Sequence, residues 1–156
     1  AVDEEVNEED ANFMKQAMEF ANSEGSSPFP KAIGGALIVT KSGKILGRGR
    51  SDYKMDCVQA AITDSGIQVT PLKEWWVSWP TDAQLRKDIA ESTLYVTMEP
   101  SSEGRGEALP PTTDLIEMTG ISRVVIGCQD VVPERATKGA ATLHAAGLQV
   151  TMGVMQ

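Results

Sequence analysis

Apolar positions along the chain follow two spacings, one helical and one of strand type. Phe13, Ala17, Phe20 and Ala21 recur every three or four residues and predict a helix over about residues 8–24. Ser26, Ser27, Pro28 and Pro30 then stop it. Ala36-Leu37-Ile38-Val39 and Ile45-Leu46-Gly47 flank Lys41-Ser42-Gly43-Lys44, a hairpin pattern with glycine at the turn. Residues 55–66 predict a helix closed by Gly66, and Thr93 to Met98 a strand that ends before Pro100. Pro110 and Pro111 suit a helix start that continues through Asp114 and Met118 to Gly120. Val124 to Gly127 predicts a buried strand, 135–146 a helix ending at Gly147, and 148–154 a last alternating strand.

The predicted order is α-β-β-α-β-α-β-α-β. Alternation of strand and helix implies parallel strands joined by right-handed crossovers, with helices on both faces. The opening hairpin adds an antiparallel part. The fold class is therefore α/β, a three-layer α/β/α sandwich on a mixed five-stranded sheet.

One stretch, 67–91, is irregular by this reading. It holds all three tryptophans in Trp75-Trp76-Val77-Ser78-Trp79-Pro80. Long connections inside a compact domain are usually functional, and Trp is enriched at interface hot spots. Trp75, Trp76 and Trp79 are thus candidates for a partner interface, or else they cap the domain's own core. Leu72, Leu85 and Ile89 fit either role.

Composition is that of an ordinary globular domain, 41% hydrophobic and 23% charged. No apolar run nears the roughly 18 residues that mark a membrane span. Six of the 22 acids lie in the first ten residues, so the formal charge of −8 belongs mostly to the beginning of the chain. Residues 1–11 read as a solvated acidic tail and 12–156 as the domain. Lys41, Lys44, Arg48, Arg50 and Lys54 read as a solvated sheet edge, and no nucleic-acid partner is expected. A start at Ala1 in place of Met reads as either an artificially truncated chain or a processed mature form, with neither a secretory signal nor an intact transit peptide. Two cysteines and one histidine leave little for a disulfide framework or a metal site.

Several strand motifs, in order, resemble a known family. Ser27-Pro28-Phe29-Pro30-Lys31-Ala32-Ile33-Gly34, Ile45 to Gly49, Tyr95-Val96-Thr97-Met98-Glu99-Pro100 and Gly120 to Val125 look like the zinc-dependent cytidine/deoxycytidylate deaminase superfamily. Within it they look most like the pyrimidine deaminase domain of riboflavin biosynthesis, over about residues 12–155. Active members carry His-x-Glu at the second helix and two zinc-binding cysteines at the third, the glutamate shuttling protons. The resemblance sets those positions at Asp56-Cys57-Val58, Pro100-Ser101 and Thr112. Hydroxyls are poor zinc ligands at neutral pH, and Val58 has no proton to exchange.

The resemblance therefore implies a degenerate site at Asp56, Val58, Ser101 and Thr112, with no catalytic residue, metal or cofactor. Cys57 and Cys128 read as packed thiols, with a redox role for Cys57 as the sharper alternative, and His144 as a surface histidine. The first loop has Phe29 where the family has an asparagine, and the loop after the fourth strand is reduced to Asp130-Val131-Val132-Pro133. Arg105 and Lys138 stand where phosphate-contacting bases lie, so these two and Glu99 are the candidates for residual nucleotide binding. The expected role is a structural or regulatory subunit of a larger assembly, as a homo- or heterodimer. The alternative is part of a riboflavin or pyrimidine enzyme that keeps nucleotide binding or whose activity lies in a missing domain. The compartment stays open, with a plastid setting implied by the plant members that have lost the zinc site.

Overall fold

The computed structural model describes residues 7–22, 34–51, 55–70, 76–78, 80–103 and 110–154. Helix α1 (Glu8–Ala21) is capped by the Asn7 side chain, which accepts from the Asp10 amide at 2.8 Å. Strands β1 (Gly35–Val39) and β2 (Ile45–Arg50) form the expected hairpin, followed by α2 (Cys57–Asp64). After the long connection come β5 (Thr93–Met98), α4 (Thr112–Thr119), β6 (Arg123–Cys128), α5 (Lys138–Ala145) and β7 (Gln149–Met152). The sheet runs β2-β1-β5-β6-β7. Strand β1 is antiparallel to both neighbours, and β5, β6 and β7 are parallel to one another. The mixed five-stranded α/β sheet is as the alternation predicts.

Strand alternation sorts the core into two layers. Leu37, Val39, Tyr95 and Val125 face α1, meeting Phe13, Met14 and Ala17. Ala36, Ile38, Leu94, Val96, Val124 and Ile126 face α2, α4 and α5 on the other side. Gly47 and Gly49 lie directly beneath α2: a Cβ there would collide with the carbonyl oxygens of Ala61 and Cys57. Only glycine lets helix and strand approach so closely.

The connection read as irregular is partly regular. It contains a two-stranded sheet, β3 (Gln68–Thr70) with β4 (Trp76–Ser78), and a helix, α3 (Ala83–Ala90). Asp82 starts that helix by accepting from the Gln84 and Leu85 amides, a capping signal that the tryptophans overshadowed in the sequence. Ile89 is buried in the core and Leu85 packs against it. Trp75, Trp79 and Leu72 lie outside the described residues, as does the side chain of Trp76. Helix α5 begins at Lys138 and not at 135, because Thr137 takes a left-handed backbone (φ 68°) in the turns that precede it.

The acidic stretch also ends earlier than a tail boundary at residue 11 implies. Asp10 lies inside α1 and is 1% exposed. Its carboxylate accepts from Tyr95 Oη at 2.9 Å and from both Arg123 guanidinium nitrogens at 2.8 and 2.7 Å, and Arg123 also donates to Thr151. One acid thereby ties α1 to β5, β6 and β7. Charge counting along the sequence groups it with solvated neighbours because the partner stands over a hundred residues away. Burial pushes the Asp10 carboxyl up, but the Arg123 and Tyr95 hydrogen bonds and the Arg123 charge prevail and hold it below its ordinary 3.8.

A carboxyl depressed in the folded state contributes stability that is complete above its unfolded pKa and lost as pH falls through the folded one. Asp10→Asn is expected to cost about 3 kcal/mol at neutral pH, since it strands a largely buried guanidinium. Urea titrations from pH 7 down to pH 3 should also show a shallower acid-side loss in the variant than in the wild type.

Candidate functional site

The N-termini of α2 and α4 meet at the end of β5. Asp56 caps α2, its Oδ1 accepting from the Gln59 amide at 2.8 Å. Its Oδ2 accepts from the hydroxyl of Thr112, the first residue of α4, at 3.0 Å. Ser101 joins them through the backbone: its carbonyl accepts from the Thr113 amide at 3.2 Å, while its Oγ accepts from the Glu103 amide at 3.1 Å. The fold thus brings together Asp56, Ser101 and Thr112, the three positions that the resemblance sets at the zinc. Val58, at the proton-shuttle position, is 2% exposed and part of the core.

Zinc takes thiolate, imidazole or carboxylate. The donors at this junction are one carboxylate, both of whose oxygens already accept hydrogen bonds, and two hydroxyls. They do not fit the metal. Among the described residues, no three of His, Cys, Asp and Glu gather into a cluster able to hold an ion.

The remaining soft side chains lie elsewhere or are inert. Burial pushes the Cys57 thiol up to about 12, with the Asp56 charge adding to it and a Ser51 hydrogen bond opposing it. A helix N-terminus alone would lower that pKa, and here burial outweighs it, so the geometry offers no support for a reactive Cys57. Cys128 donates to the Thr97 carbonyl at 3.4 Å and is likewise raised by burial. His144 is exposed in the last turn of α5.

Glu99 is 6% exposed and faces inward. Its Oε1 accepts from the Asp130 and Thr137 amides and its Oε2 from the Ala140 amide, all at 2.9 Å. Three backbone donors bond this carboxylate, which makes it a clamp on the turn before α5. The same clamp holds Thr137 in its left-handed conformation. Beside it, Gly139 passes so close to the Pro100 carbonyl that a Cβ would collide with it. Lys138 is exposed at the first turn of α5, and Arg105 lies outside the described residues.

Two side chains near the junction were not singled out from the sequence. Gln59 Oε1 and Thr113 Oγ1 are buried without a hydrogen-bond partner, one turn into α2 and at the second position of α4. The only signal for Gln59 is a long polar residue inside the apolar run Cys57 to Ile62. Thr113 gives no signal at all.

No family model matches the chain. It is 33% identical over 152 residues to the riboflavin biosynthesis protein RibD of Aquifex aeolicus, covering 97% of this chain and 36% of that one. A solved structure from Thermotoga maritima superposes with a TM-score of 0.69 at 31% identity, over 94% of this chain and 37% of that one. That protein is described as a diaminohydroxyphosphoribosylaminopyrimidine deaminase/5-amino-6-(5-phosphoribosylamino)uracil reductase. The dCMP deaminase of cyanophage S-TIM5 shares the fold, with a TM-score of 0.57 at 19% identity over 95% of this chain and 99% of that one. The chain is similar in sequence to riboflavin biosynthesis proteins and has the fold of the cytidine/deoxycytidylate deaminase superfamily. Its relatives include the chloroplastic riboflavin biosynthesis protein PYRD of Zea mays, 27% identical over 94% of this chain and 32% of that one. The chain spans about a third of the length of these riboflavin biosynthesis proteins.

Two measurements check the deaminase-fold junction as drawn. Asp56→Ala removes a cap and is expected to cost about 1–2 kcal/mol, and Thr112→Val about 1 kcal/mol. Their double-mutant cycle in urea should give a coupling of at least about 0.5 kcal/mol. Glu99→Gln sets an amide NH2 against backbone N–H groups and is expected to cost about 3 kcal/mol in the same titration.

Proposed function

We propose that this riboflavin-biosynthesis-related deaminase-fold chain is a non-catalytic structural or regulatory subunit. The observation that supports this most is the hydrogen bond between Asp56 and Thr112. Where relatives by resemblance hold a metal and an activated water, two side chains here satisfy each other. Hydrolytic deamination needs a hydroxide near neutral pH and a group that carries protons to the leaving amine. Asp56, Ser101 and Thr112 do not supply the first, and Val58 does not supply the second. General acid–base assistance alone is worth about 10²–10⁴-fold.

In this reading the fold acts through contacts with protein, as a homo- or heterodimer or within a larger assembly, and the Trp-bearing connection 67–91 carries the docking side chains. Plant relatives from Zea mays and Arabidopsis thaliana are described as chloroplastic, which supports a plastid setting.

A second reading rests on length. The chain covers 37% of the Thermotoga protein, whose description names a deaminase and a reductase. On this reading the chain contributes a pyrimidine-nucleotide-binding or scaffolding part to an enzyme whose working site is in another domain, with Arg105, Lys138 and Glu99 as its candidate ligand contacts.

Metal analysis of the purified protein, together with ammonia release from dCMP and from the phosphoribosylaminopyrimidine, tests the first reading. The expected result is zinc far below one per chain and ammonia at the no-enzyme rate; about one zinc per chain with turnover would overturn it. A thermal shift separates the second reading. Stabilisation by micromolar pyrimidine nucleotide without ammonia release supports nucleotide binding, and an unchanged melt supports the scaffold alone.

A further inference from the structure

On the side of the molecule away from α1, the added helix α3 and the C-terminal end of α4 enclose a cleft of about 350 Å³. Its walls and floor are Pro80, Ala83, Ile89 and Ala90 on one side and Thr119 with Gly120 on the other, with Arg86 and Lys87 also lining it. The volume falls within the range of small-molecule sites, and the lining is mostly apolar.

The polar groups of this lining are unevenly committed. The Thr119 hydroxyl donates to the Ile116 carbonyl and accepts from the Ile121 amide, and the Gly120 amide donates to the Glu117 carbonyl. The α4 wall therefore has little left to offer a ligand's polar atoms. On α3, Asp82 caps the Gln84 and Leu85 amides, Asp88 accepts from the Gln84 side chain, and Glu91 is exposed at the C-cap. Arg86 and Lys87 are exposed, and among the described residues no carboxylate pairs with either. Two exposed cations stand beside an apolar hollow.

From this arrangement we propose that the α3–α4 cleft is a binding site for a small amphipathic anion. The apolar body of the ligand packs on Ile89, Ala83 and Pro80, and its carboxylate, sulfonate or phosphate meets Arg86 and Lys87 at the mouth. The proposal goes beyond the role suggested above and holds whether or not the chain is catalytic. The site lies in the connection between α2 and β5, away from the Asp56–Thr112 junction.

Anilinonaphthalene sulfonate, an aromatic sulfonate, is the probe, titrated by fluorescence under conditions where the protein melts cooperatively. Its uncharged counterpart N-phenylnaphthylamine is titrated in parallel. The expected result is saturable one-to-one binding of the sulfonate. The double variant Arg86→Ala with Lys87→Ala should weaken that binding about tenfold while changing N-phenylnaphthylamine binding little. Ala90→Trp, a substitution at an exposed helix position, should block both probes with the melting temperature preserved. Failure of the folded wild type to bind the sulfonate would overturn the proposal. So would wild-type affinity in the charge-removal variant, or in Ala90→Trp.

Discussion

The close seat of α2 on the sheet is the constraint from which the rest of the site follows. Gly47 and Gly49 leave the room that the carbonyls of Cys57 and Ala61 occupy, so the helix lies almost against the backbone of β2. With α2 held there, Val58, Ala61 and Ile62 enter the core and the N-terminus of the helix opens toward α4. Asp56 then reaches Thr112 without any movement of either helix. A side chain on either glycine would lift α2 and separate the two helix ends.

Three buried or half-buried carboxylates among the described residues serve as ties between elements. Asp10 joins α1 to three strands, Asp56 joins α2 to α4, and Glu99 joins the end of β5 to the start of α5. Each has its oxygens filled by donors of the fold, which is the condition under which a buried charge is tolerated. An acid bonded in this way holds distant elements of the fold in place. Among the described residues, the buried side-chain atoms without a hydrogen-bond partner are on Gln59 and Thr113, and both adjoin the junction of α2 and α4.

Much of the fold was legible because apolar period and turn chemistry are local. The hairpin around Gly43, the strand Thr93–Met98 and the helix closed at Gly120 follow from neighbours a few residues apart. The α3 helix was missed although Asp82 caps it, because its exposed face is polar and only Ile89 is buried along it. The late start of α5 was missed because the turns before it are imposed by Glu99, thirty-eight residues away from Thr137. The positions Asp56, Val58, Ser101 and Thr112 could be located through the motifs around them. What those residues do to one another could not.

The sequence by itself determined the kind of fold and the position of each main strand. Those properties depend on residue type and short spacing. Only the tertiary structure decided that Asp10 is a buried tie and not part of a tail, that Glu99 is spent on backbone amides, and that Asp56 and Thr112 bond to each other. The reason is physical: the partners lie between 31 and 113 residues apart along the chain. Whether a charge is solvated or saturated depends on what folding brings next to it.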